Sequence, residues 1–244
     1  MRQTAVRALA ILACVAAIAC GGSSDPTSPS SVTGSSGGSG GATGGSGGTT
    51  GGGNEPFRVS TPVTDSFFDD GDWDDIVETY SASGTGAGGH LTFNGQAGAG
   101  YRQISINVTS ASGSDAKLAV FAINRRALYF PSSDGAILWI DYTELSINQS
   151  TGSVQYSAPA IRQNGKLYTL VPGGKAFATP DTSWTDHALA HLTQNDFRTL
   201  ASASDHPDFS RNGSRIEFGF MREQVGAGTS KAGIDNWRLT IFRD

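Results

Sequence analysis

Between residues 101 and 108 the chain alternates: Ile104, Ile106 and Val108 are apolar, and the residues between them are polar. Residues 136–147 (AILWIDYTELSI) are long enough for one strand with a half-buried face, and the period of two returns in residues 215–221 (RIEFGFM), where Ile216, Phe218 and Phe220 are in phase. It closes the chain in residues 234–241, with Trp237, Leu239 and Ile241 on one face. Such alternation marks strands with one buried face. Turn-forming clusters separate these runs, at residues 110–115 and 148–153, at Asn164-Gly165, at Pro172-Gly173-Gly174 and at Asn212-Gly213. Asn164-Gly165 lies between two short runs and predicts a two-residue hairpin, because both central positions of that turn need positive φ. Residues 185–192 are the one candidate helix, and a short one. Many strands, frequent turns and no long helical period predict an all-β fold, an antiparallel sandwich.

The first twenty residues follow a different pattern. Arg2 and Arg7 precede an apolar run over residues 8–19 (ALAILACVAAIA). The run is too short to span a bilayer, which takes about 20 apolar residues, and it fits the apolar core of a signal peptide. Residues 21–54 then carry 14 Gly and 14 Ser or Thr. That composition has nothing to bury and predicts a flexible linker with a span of roughly 30–35 Å. The expected organisation is a signal peptide over residues 1–19, a linker over 20–54 and a β-sandwich over 55–244.

Charge and cysteine content narrow the function classes. The chain has 17 Lys and Arg against 22 Asp and Glu, a net charge of −5. This acidic balance speaks against a nucleic-acid binder, which would show a basic stripe. The two cysteines are Cys14, in the signal peptide, and Cys20, the first residue of the linker. The sandwich therefore folds without disulfides and holds no Cys-based zinc site.

Two resemblances rest on particular residues. Ala17-Ile18-Ala19-Cys20, followed by Gly21-Gly22-Ser23-Ser24, resembles a bacterial lipobox, with Ala17 where the pattern prefers Leu. The resemblance implies cleavage before Cys20, a lipid on that residue, and anchoring to the cell envelope, on the periplasmic or surface side of the outer membrane. In the folded region, Phe67-Phe68-Asp69-Asp70-Gly71-Asp72-Trp73 looks like the first strand of exported bacterial jelly-roll modules, and Gly233 to Ile241 looks like their last strand. The layout is similar to the concanavalin-like and galactose-binding-like jelly rolls. That likeness implies adjacent terminal strands and a structural Ca²⁺ between them, held by Asp69 or Asp70 with Asp235. Such folds host sugar-binding modules, adhesion modules and some glycosidases, so the fold alone assigns no function.

The sequence carries no catalytic signature. Asp70, Asp72 and Asp74 have the spacing of the first ligands of a calcium loop, but Asp75 and Ser81 stand where its Gly and bidentate Glu belong. His187 and His191 are four apart, yet Ala188 replaces the glutamate that a zinc protease of this spacing needs. Asp141 and Glu144 fall on opposite faces of a strand, whereas glycoside hydrolysis needs two carboxyls facing one cleft. Aromatic residues remain, since a pyranose presents an apolar C–H face rimmed by hydroxyls. Trp73, Trp139, Tyr168 and Trp184 are the candidate platforms, and Arg102, Asn164 and Asp186 the candidate hydrogen-bonding partners. Trp184 sits in a polar stretch, Pro180-Asp181-Thr182-Ser183-Trp184-Thr185-Asp186, so it is expected to be exposed; Trp184, Tyr168 and Arg102 form the expected ligand site. Two function classes stay open: a lipid-anchored carbohydrate-binding protein, and a structural or adhesion protein that recognises protein partners. A sandwich-fold glycosidase ranks behind both.

Overall fold

The structure is a computed structural model that describes residues 58–60, 62–80, 84–94, 100–110, 117–151, 153–170, 176–179 and 182–244. The chain divides into two units, Met1–Gly51 and Gly52–Asp244. The expected signal peptide, Cys20 and the whole of the expected linker lie outside the described residues, which belong to the second unit.

The strands in chain order are β1 (Arg58–Val59), β2 (Val63–Asp65), β3 (Trp73–Tyr80), β4 (Gly84–Asn94), β5 (Gly100–Ser110) and β6 (Lys117–Tyr129). A single-turn helix α1 (Pro131–Asp134) leads into β7 (Ile137–Asn148), β8 (Gln155–Gln163), β9 (Lys166–Thr169) and β10 (Phe177–Ala178). The chain ends with β11 (Thr185–Leu192), β12 (Ile216–Val225) and β13 (Gly228–Arg243). They form two antiparallel sheets. The seven-stranded sheet runs β11-β7-β13-β5-β4, with β1 and β2 also on β13. The six-stranded sheet runs β10-β8-β12-β6-β3, with β9 on β8. The all-β sandwich read from the periodicity is the observed architecture, and the N-terminal strands do pair with the last one, Thr64 opposite Arg238 and Val59 opposite Phe242.

The core lies where the inner faces meet. Trp73 of the six-stranded sheet meets Trp237 of the seven-stranded sheet edge to face, ring centroids 5.3 Å apart, and also packs on Phe68 and Phe220. Ile104, Ile106, Ile216, Phe218, Phe220, Leu239 and Ile241 are buried as their alternation requires. The hairpin forms at Asn164 (φ 53°) and Gly165 (φ 75°), joining β8 to β9. In β13 the inward set shifts phase, from Ala232 and Ile234 to Trp237 and Leu239. A bulge between Asp235 and Arg238 absorbs the extra residue, with Asn236 at φ 49°.

Two expectations are corrected. Residues 185–192 are not a helix but the edge strand β11, antiparallel to β7. Their period of two was disguised because Leu189 and Leu192 both face inward; His191, at φ 55°, takes up the odd residue. Residues 67–73 are not the first strand. Asp65 Oδ1 accepts the N–H groups of Phe67 and Phe68, Asp69 accepts that of Gly71, and a short 3₁₀ turn results. Only Trp73 enters a strand, and that strand belongs to the other sheet.

Candidate functional site

Strand parity decides which side chains share a surface. On the seven-stranded sheet, Ile140, Tyr142, Glu144 and Ser146 of β7 face the core, so Trp139, Asp141, Thr143, Leu145 and Ile147 face outward. Register carries that outer surface across the sheet. Ile147 lies opposite Gly233, Gly233 opposite Gln103, and Leu145 opposite Asp235. Asp186 lies opposite Leu145 on β11, and Trp184 immediately precedes that strand.

Trp184 is 40% exposed and meets Tyr101 edge to face, centroids 5.3 Å apart at 76°. The two rings start from strands with β7 and β13 between them, and they meet by leaning over Gly233. A Cβ at Gly233 would stand 3.0 Å from Trp184 Cη2, 2.9 Å from Ile147 Cγ2 and 3.3 Å from Tyr101 Cδ2. Glycine is what leaves room for the indole to lie over the sheet. Polar groups flank the pair: Gln149 Nε2 donates to the Tyr101 hydroxyl at 3.3 Å, and Gln103 Nε2 donates to Gln149 Oε1 at 2.5 Å. Next along the strands is a cavity of about 390 Å³ lined by Thr64, Thr143, Leu145, Asp186, Asn236 and Arg238. At the far end of the same face Trp139 stacks between His191 (5.2 Å, 20°) and Phe242 (4.7 Å, 15°).

The other expected site residues lie elsewhere. Arg102 does not join Trp184. It is fully buried, its guanidinium 5.7 Å from the Trp73 ring centroid and bonded to Asp70 (3.0 Å) and Asp75 (2.9 Å). His90 bridges the same two carboxylates, so the cluster clasps one sheet to the other. Parity explains the error: Arg102 faces in, and its neighbour Tyr101 faces out. Tyr168 is a core residue, 4% exposed, because β9 is covered on both sides. Trp73 is likewise core.

The three carboxylates expected to hold Ca²⁺ do not converge. Asp69 Oδ1 accepts the Gly71 N–H at 3.0 Å, Asp70 is engaged by Arg102 and His90, and Asp235 Oδ1 accepts the Asn236 N–H at 2.6 Å. Burial raises the Asp235 carboxyl above the usual range. Among the described residues no three Asp, Glu, His or Cys side chains are placed to hold a metal ion. His187, opposite Glu144, faces inward and His191 outward, so they share no site. Asp141 and Glu144 part in the same way. Asp141 accepts the His191 N–H at 2.8 Å, while Glu144 is buried against Arg222 (3.0 Å), Ser157 and Tyr142.

The six-stranded sheet carries a second polar group that alternation does not reveal. On one row across its outer face, Glu78 lies opposite Ala119 and Ala119 opposite Glu223. The Tyr80 hydroxyl donates to Glu223 Oε1, and among the described residues Glu223 Oε2 has no hydrogen-bond partner. Burial raises the carboxyls of Glu78 and Glu223 and the phenol of Tyr80.

Solved structures similar to this chain are carbohydrate-binding modules. One is the family 11 module from Clostridium thermocellum in complex with a β-1,3-1,4-mixed-linked tetrasaccharide, 14% identical, covering 73% of this chain and 94% of that one, with a TM-score of 0.41. A second is TmCBM27, a module described for specific mannan recognition, 13% identical, with 76% and 98% covered and a TM-score of 0.37. A third is the CBM22-1–GH10 portion of Clostridium thermocellum xylanase 10B complexed with xylohexaose, 11% identical and with a TM-score of 0.37; the match covers 73% of this chain and 28% of that one. No protein-family model matches the sequence. No curated protein matches it in sequence.

Proposed function

We propose that this chain is an exported, lipid-anchored protein whose sandwich binds carbohydrate on the outer face of the seven-stranded sheet. The observation that carries the reading is Trp184: a large indole, 40% exposed, held at a fixed angle by Tyr101 above a glycine. Exposed tryptophan is costly to leave in water, and its amphipathic ring suits a surface that is apolar at the centre and wet at the rim. The C–H face of a pyranose is such a partner. Gln103, Gln149 and Asp186 supply donors and acceptors around the ring for the sugar hydroxyls. The pre-formed Trp184–Tyr101 pair keeps the ordering cost of binding low. Export and anchoring rest on the sequence, on the apolar run that ends in Ala17-Ile18-Ala19-Cys20 ahead of the Gly/Ser/Thr-rich linker.

The test is electrophoresis of the full chain through native gels that contain a single polysaccharide each: hydroxyethylcellulose, mixed-linkage β-glucan, xylan, mannan or chitosan. Retardation by at least one neutral polysaccharide, lost in Trp184→Ala, is the expected result. Unretarded migration in every gel contradicts the reading.

A further inference from the structure

The face that holds Trp184 has a second aromatic cluster, and the ground between the two is low. Trp139 and Ile147 are both outward residues of β7, eight positions apart, which is about 26 Å at a strand's rise per residue. Trp184 leans over Ile147 at one end of that distance, and His191, Trp139 and Phe242 stack at the other. The outward residues of β11 between them are Asp186, Ala188 and Ala190, and those of β7 are Asp141, Thr143 and Leu145. None of these side chains carries an aromatic ring. The cavity beside Asp186 and Arg238 lies between the two ends, against Thr143 and Leu145 of β7.

We infer that this face takes an extended, uncharged polysaccharide chain that runs along β7 and rests on both aromatic clusters at once. The inference rests on the carbohydrate-binding reading and adds the length, direction and charge class of the ligand. A single sugar on Trp184 would leave the far cluster without a role in binding. A ligand that spans both gains a second apolar contact inside one molecule, at no further cost in lost translational freedom. The polar floor fits hydroxyls along the way: Thr143 and Asp186 border the cavity, and Arg238 and Asn236 close its other side. Charge sets the class. Asp141, Asp186 and Asp235 face outward here against Lys231 and Arg238, and the chain as a whole is acidic. A polyuronate or sulfated glycan would bring its negative charges over those carboxylates, and like charges brought together suppress binding.

Length dependence tests this. Calorimetry on the full chain in mild detergent would compare di-, tri- and hexasaccharides of whichever neutral polysaccharide retards it, with polygalacturonate as the charged comparison. Affinity is expected to rise by at least about tenfold from tri- to hexasaccharide, the scale of one well-packed aromatic contact. Trp139→Ala should erase that gain and leave trisaccharide affinity as in the parent, whereas Trp184→Ala should weaken every length. His191→Ala, which removes the more exposed ring of the stack, should reduce the gain in the same direction if Trp139→Ala proves poorly folded. Equal affinity for tri- and hexasaccharide, or a Trp139→Ala loss that is the same at both lengths, overturns the two-cluster inference while leaving binding at Trp184 intact. Tight binding of polygalacturonate overturns the charge class. Retardation by no polysaccharide overturns both this inference and the function it rests on.

Discussion

Arg222 and Glu144 form an ion pair 3.0 Å long in which neither side chain is exposed to water, and it joins β12 of one sheet to β7 of the other. Ser157 and Tyr142 hydroxyls also donate to Glu144, and Arg222 Nη2 donates to the Gly233 carbonyl at 3.2 Å. The pair therefore sits directly beneath the glycine over which Trp184 and Tyr101 meet. Breaking a buried pair by removing one partner leaves a charge without compensation and typically costs about 3–5 kcal/mol. Arg222→Met should lower stability by about that amount in chemical denaturation. The double variant Arg222→Met/Glu144→Gln should recover a large part of it, since the orphaned charge is gone. A double variant no more stable than the single one would show that the charge itself is not the source of the loss.

Gly233→Ala probes the surface above. Its Cβ would stand 2.9 Å from Ile147 Cγ2 and 3.0–3.3 Å from the Trp184 and Tyr101 rings, so Ile147 must shift and the rings must give way by a few tenths of an ångström. Weaker glycan binding is expected, with a melting temperature close to the parent's, because the residue is extended and the displaced indole is free to move into solvent. Unchanged affinity would mean that the angle between the two rings does not matter for the ligand.

The pH dependence of Glu223 has a definite sign. Burial raises its carboxyl, against the opposing influences of the Tyr80 hydroxyl and the Lys117 ammonium. The folded protein then holds a proton that the unfolded chain releases, so stability falls as pH rises from the ordinary glutamate range through the raised value. Glu223→Gln removes this ionisation and keeps an acceptor for Tyr80. Melting curves taken from pH 4 to pH 8 should show the variant gaining on the parent as pH rises. A difference that stays constant, or that moves toward the parent, contradicts the assignment.

Lipid attachment is tested by metabolic labelling with a fatty-acid probe. The parent chain should label and Cys20→Ala should not. Equal labelling of the two would place the lipid elsewhere or remove it from the proposal.

Much of the sandwich is legible in the sequence because its strands bury one face. Ile104, Ile106, Trp237 and Leu239 announce themselves by alternation, and Asn164-Gly165 marks its hairpin. The information fails where a second constraint interferes with the period of two. In β11 the left-handed His191 shifts the phase and gives Leu189 and Leu192 a helical spacing. In β9 both faces are covered, so Tyr168 looks no different from an exposed aromatic. The site itself was half legible. Trp184 stands out by its polar neighbours, but its partners come from β5 and β13, remote in sequence. Tyr101 and Arg102 are adjacent, and only the register of β5 on β13 tells which of them faces the surface. Gly233 carries no signal at all until the rings above it are seen.

The most direct measurement pairs glycan affinity with melting temperature for Trp184→Ala in the full chain. An exposed aromatic that stacks on a sugar should behave as a binding hot spot, so its truncation should cost at least about 2 kcal/mol of binding, roughly thirtyfold in affinity. Its 40% exposure predicts a melting temperature near the parent's. A large fall in melting temperature would instead mark a buried role, for which truncation of a tryptophan costs about 3–5 kcal/mol of stability. Undiminished glycan affinity in the variant would contradict a binding site built on Trp184.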